Sequence, residues 1–117
     1  MSMDRKLLEE DILRLYQEPI VGANYNNTYG EENLVNLVDK YRSLMPEEME
    51  FMRELVKGYS QSPDLASSYV SVGVLHALGF SQQVEEAYAW AQTQDNSGHI
   101  TSHFDIGKSL ADHFISG

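Results

Sequence analysis

Apolar residues recur along this chain at the three- and four-residue spacing of one helix face, broken by short clusters of Pro, Gly, Asn and Ser. Leu8, Ile12, Leu15 and Tyr16 predict a first helix from about Asp4 to Gln17, with Leu7 and Leu13 widening its face. Pro19 ends it, because the residue before a proline avoids helical angles. Glu18 to Gly30 carries a Pro, two Gly and three Asn, and reads as a loop. Thr28 and Glu31 have capping-box spacing, so the second helix is expected to begin there. Leu34, Leu37, Val38, Tyr41 and Met45 form its stripe. Pro46 suits the first position of a third helix, whose core face is Met49, Met52, Leu55, Val56 and Tyr59.

The segment from Pro63 to Gly79 differs from the rest. It is apolar most of the way round, as a central helix buried on several sides must be. Ser62 is its expected cap, Gly73 a point of close helix crossing, and Gly79 its left-handed terminator. Val84, Ala87, Tyr88 and Ala91 form the inner face of a fifth helix, from about Gln82 to Gln94 and capped by Ser81. Phe104, Gly107, Leu110, Ala111 and Phe114, with Ile106 beside them, predict a sixth from near Ser102 to Ile115. Ser102 and Asp105 have the spacing of its capping box. The pattern as a whole predicts an all-α, single-domain bundle of five or six helices over residues 1–117. Two antiparallel hairpins would form its body, with the N- and C-terminal helices flanking them, because very short links force neighbouring helices to fold back. The hairpins start 33 residues apart, near Glu31 and Asp64, but the consensus of the helical repeat families is absent.

Composition narrows the functional classes. There are 117 residues and no cysteine, which removes disulfides, thiolate catalysis and cysteine-bound zinc. Eighteen acidic residues face eight basic ones, a formal charge of −10, and no Lys or Arg occurs between Gly58 and Gly107. Phosphate recognition needs cations, so neither nucleic acid nor an anionic membrane is an expected partner. The longest weakly charged run, Leu65 to Val84, holds Ser, Gln, His and Gly and makes a poor membrane span. The first 17 residues are too acidic for a secretory signal, and the cytoplasm is the expected location.

Candidate chemistry is sparse. His99 and His103 are four apart, as helical metal ligands are, and Asp95 lies four earlier. The Ser97-Gly98 turn argues against a shared helix, so no metal site is expected. His76 falls on an apolar stripe, where a histidine is usually a core residue satisfied by backbone or a hydroxyl such as Tyr69. No nucleophile or paired carboxylate completes a mechanism, and no glycine-rich phosphate loop occurs. No catalytic residue and no cofactor are expected, and the chain does not read as an enzyme.

The remaining signal is charge with aromatic residues. Glu47, Glu48, Glu50 and Glu54 surround Phe51 on the third helix, and Tyr25 and Tyr29 sit among asparagines in the first loop. Phe51 and Trp90 lie at the edges of their apolar stripes, so either a partner or a wider core would cover them. A small acidic helical domain suits capture of a basic protein, because opposite charge speeds association. Bacterial immunity proteins and nuclease inhibitors, which block basic nuclease toxins, occupy this niche of size and charge. The expected contact residues are Glu47, Glu48, Glu50, Phe51, Glu54, Tyr25 and Tyr29. The alternative is a helical-hairpin adaptor or self-associating scaffold. A small-ligand protein or enzyme built on His76 and Tyr69 ranks last.

Overall fold

A computed structural model describes residues 4–17, 31–62, 64–94 and 98–115. These residues form six helices: α1 (Arg5–Gln17), α2 (Glu31–Ser43), α3 (Pro46–Tyr59), α4 (Leu65–Ala77), α5 (Ser81–Gln94) and α6 (His99–Phe114). All six contribute to one core. Leu8 and Ile12 enter from α1, Leu34, Leu37 and Val38 from α2, and Met52 and Val56 from α3. Val72, Val74 and Leu75 of α4, Ala87 and Ala91 of α5, and Phe104 and Ala111 of α6 complete it. The expected all-α bundle is the fold of the protein.

α4 is the central helix. It touches α2, α3, α5 and α6, and its most extensive contact is with α6. Two glycines explain that contact. A Cβ on Gly73 would lie 2.8 Å from the Gly107 carbonyl oxygen and 3.1 Å from Leu34 Cδ1, and a Cβ on Gly107 would overlap the Tyr69 carbonyl. The two helix backbones therefore touch, with no side chain between them. Tyr69 meets His103, Gly73 meets Gly107, and His76 meets Asp112, so α4 and α6 run in the same sense. The crossing anticipated at Gly73 thus needs Gly107, which reads in the sequence only as one member of an apolar stripe.

The other contacts set the remaining directions. Asn33 Nδ2 donates to the Leu15 carbonyl at 2.7 Å, and Lys40 lies 3.8 Å from Asp11, so α1 and α2 are antiparallel. Arg5 over Phe51 and Tyr16 against Tyr59 make α1 and α3 run in the same sense. Hence α2 and α3 are antiparallel, as their short link requires.

Several helix ends depart from expectation. The start of α2 near Thr28 and the residue Pro63 lie outside the described residues, as does the turn Asp95-Asn96-Ser97. Asp64, not Ser62, precedes α4: its Oδ2 accepts from Ser67 Oγ at 2.8 Å, and its own N–H donates to Ser62 Oγ at 3.1 Å. α5 begins at Ser81 itself, and the Phe80 carbonyl accepts the Val84 N–H at 3.1 Å. α6 begins at His99, three residues early. Gly98, at φ 86°, offers its carbonyl to the Ser102 N–H and to the Ser102 and Thr101 hydroxyls, so Ser102 lies inside the first turn rather than at its cap. Gly79 does end α4 in the left-handed region (φ 82°), and the Phe80 N–H closes back on the Leu75 carbonyl at 2.9 Å, a Schellman pattern.

Three residues assigned to apolar stripes face water instead: Leu7 is 58% exposed, Met45 69% and Ile106 38%. For Met45 the reason is local, because α2 stops at Ser43 and the stripe no longer turns with it. Phe51 and Trp90 are half-buried against the core, so the wider core covers much of both.

Glycine substitutions separate these roles. Gly107→Ala is expected to cost about 3 kcal/mol, since it overpacks the crossing against backbone that cannot yield. Gly58→Ala, in helical backbone with nothing within 4 Å of the new methyl, is expected to add about 0.5–1 kcal/mol. Urea unfolding of both variants reads the two signs.

Candidate functional site

The acidic face of α3 is built from its first turn upward. Met45 precedes the helix, and its N–H donates to Glu48 Oε1 at 3.0 Å. Glu48 is thus committed to holding the helix start, where a carboxylate also favours the positive dipole end. Glu47, Glu50 and Glu54 are exposed and follow the spacing of a single helical stripe. None of the three forms an ion pair among the described residues. Phe51 lies beside this stripe with its ring half-buried, and the Arg5 guanidinium carbon stands 5.9 Å from the ring centroid. Phe51 is therefore a flanking floor to the stripe rather than a projecting anchor. Tyr25 and Tyr29 lie outside the described residues.

Five of the chain's eight Lys and Arg residues are directed away from this stripe. Arg14 and Lys40 both reach Asp11, at 3.4 and 3.8 Å, and Lys57 reaches Glu86 at 3.7 Å. Arg53 lies over Phe80 and Lys108 over Tyr88. Exposed ion pairs such as these stabilise by about 1 kcal/mol or less, so their main consequence is where charge is left uncompensated.

Polar groups inside the bundle are satisfied. The Tyr16 hydroxyl lies 2.6 Å from Ser71 Oγ, which also donates to the Ser67 carbonyl at 2.7 Å. Ser60, fully buried, donates to the Lys57 carbonyl. Among the described residues, no buried side-chain nitrogen or oxygen lacks a partner. Burial pushes the Tyr16 phenol well above its ordinary range, against the opposing effect of its hydrogen bond with Ser71. Tyr59 is raised by burial and then by the nearby Glu9 carboxylate. Tyr88 is raised by burial, then by its hydrogen bond to Asp105 and that carboxylate's charge.

The histidines are arranged differently from expectation. His76 is not a core residue: its side chain is 31% exposed at the rim of α4, and Nε2 lies 2.8 Å from Asp112 Oδ1. Its partner is a carboxylate on α6 rather than Tyr69. Tyr69 instead tilts toward His103, with ring centroids 6.3 Å apart. His99 and His103 both lie within α6, four residues apart, so they do share a helix. Among the described residues, no group of three or more His, Cys, Asp or Glu could hold a metal ion together. No helix is long and apolar enough to cross a membrane among the same residues.

Comparison with known proteins adds no family: no family model, curated protein or solved structure matches the chain.

Three variants test these assignments. Glu48→Ala is expected to destabilise by about 1 kcal/mol through loss of the cap. The triple change Glu47→Gln, Glu50→Gln and Glu54→Gln should leave urea stability within about 0.5 kcal/mol. Tyr16→Phe should cost about 0.5–1.5 kcal/mol at neutral pH, because Ser71 keeps its backbone acceptor. A raised phenol supplies stability that is fully present below the unfolded value of 10.0 and is lost as pH rises above it. Unfolding followed from pH 8 to pH 11 should therefore show an alkaline loss that is shallower in Tyr16→Phe.

Proposed function

We propose that this protein binds and neutralises a basic protein, acting in the cytoplasm as immunity proteins and nuclease inhibitors do. The observation that supports this reading is the exposed stripe of Glu47, Glu50 and Glu54, which forms no ion pair among the described residues while Arg14, Lys40, Lys57, Arg53 and Lys108 pair or stack elsewhere. Charge of this kind serves association rate, because it draws an oppositely charged partner into encounter before any contact forms. The half-buried edge of Phe51 supplies adjoining apolar area where a desolvated contact slows release. Glu48 contributes to this face through its charge, but its carboxylate works first as a helix cap.

The adaptor or self-associating reading draws on the exposed Leu7, Met45 and Ile106. Ionic strength separates the two, since exposed charge pairs are screened over about 10 Å at 0.1 M salt and apolar contacts are not.

The test is capture by the immobilised protein from host lysate at low salt, followed by rates measured on the purified captured protein. A basic partner whose association slows with added salt is expected. Glu47→Gln, Glu50→Gln and Glu54→Gln together should slow it about tenfold. Retention that resists salt and ignores the triple substitution, or capture of the chain's own copies alone, would replace this reading with the adaptor.

A further inference from the structure

The first turn of α6 brings together two groups with the chemistry of metal ligands. His99 and His103 both lie within the helix, four residues apart, and their ring centroids are 4.7 Å apart at an interplanar angle of 67°. Metal–nitrogen bonds of about 2.0–2.1 Å hold the centroids of two imidazoles on one ion roughly 4.5–5.2 Å apart, for bond angles between square and tetrahedral. The observed spacing falls inside that range.

The tautomer of His103 also suits ligation. Its Nδ1 lies 2.9 Å from the His99 carbonyl oxygen. A carbonyl only accepts, so Nδ1 carries the proton and Nε2 presents a lone pair. A backbone carbonyl on the second nitrogen is the usual way a protein orients a metal-binding imidazole. The ring of His103 also neighbours that of Tyr69, with centroids 6.3 Å apart. His99 is exposed, so an ion can reach the pair from solvent.

We propose that His99 and His103 form a two-histidine surface site for a borderline divalent transition-metal ion, Cu²⁺, Ni²⁺ or Zn²⁺, with water completing the coordination. Imidazole donors select these ions over Mg²⁺ and Ca²⁺, which prefer oxygen. The positive end of the α6 dipole opposes a cation here by roughly half a charge. The chain's formal charge of −10 offsets it.

Titration of the full-length protein with Cu²⁺ in the presence of excess Mg²⁺, followed by calorimetry, tests the site. Saturable binding of one ion is expected. His99→Ala and His103→Ala should each weaken it about tenfold or more, as loss of a metal partner does even in the outer shell. His76→Ala and His113→Ala should leave it unchanged. His99→Ala alters an exposed side chain, and its unfolding midpoint without metal confirms an intact fold. Absence of saturable binding overturns the proposal. So does displacement of the copper by Mg²⁺, or equal affinity in His99→Ala, since either would assign the ion to surface carboxylates.

Discussion

The backbone contact between Gly73 and Gly107 sets the distances from which most other interactions follow. Side chains normally hold packed helix axes 8–10 Å apart. Here neither helix carries a Cβ at the crossing, and the carbonyls of Tyr69 and Gly107 occupy the space that such atoms would fill. Leu34 closes the third side of the contact, so α2 also registers on this point. A mid-helix glycine costs about 1 kcal/mol of helix propensity, and the crossing offsets this by letting α4 and α6 bury their apolar faces together. Because the two helices run in the same sense, Tyr69 comes to His103 at one end and His76 to Asp112 at the other.

α4 is surrounded, and a surrounded helix cannot spend its surface on charge. Its polar residues are accordingly short and internally satisfied, as Ser71 is between Tyr16 and the Ser67 carbonyl. Ionised groups are displaced to the outer helices. There the scarce cations settle on Asp11, on Glu86 and over aromatic rings, so the acidic excess is not spread evenly. On α3 the four glutamates divide by position: Glu48 turns back to the helix start, while Glu47, Glu50 and Glu54 face solvent. The same residue type thus serves stability at one position and is available for recognition at the next.

The first turn of α6 combines these constraints. Gly98 in the left-handed region starts the helix earlier than the polar Ser102–Asp105 pair suggests, and its carbonyl takes the hydroxyls that would otherwise cap the turn. The helix gains His99 through Thr101, and with them a histidine pair in register. Asp105, two residues beyond His103, is drawn across to the Tyr88 hydroxyl of α5 instead of capping its own helix.

Much of the fold was legible because it rests on local chemistry. The spacing of Leu34, Leu37 and Val38, the Pro46 start, the Gly79 stop and the all-round apolar character of α4 each follow from rules acting within a few residues. The acidic stripe of α3 was legible for the same reason, since one helix carries it. Its division of labour was not, because the Met45 N–H that engages Glu48 needs the backbone turn in place. Helix ends decided by competing hydroxyls and carbonyls, at Asp64 and Gly98, were misplaced, for several candidate caps stand within a few residues of each other. What lay beyond the sequence were pairings between distant residues: Gly73 with Gly107, His76 with Asp112, Tyr16 with Ser71. Periodicity tells which face of a helix is buried but not which helix meets it. That choice depends on where two backbones approach closely enough, and only the folded bundle sets that distance.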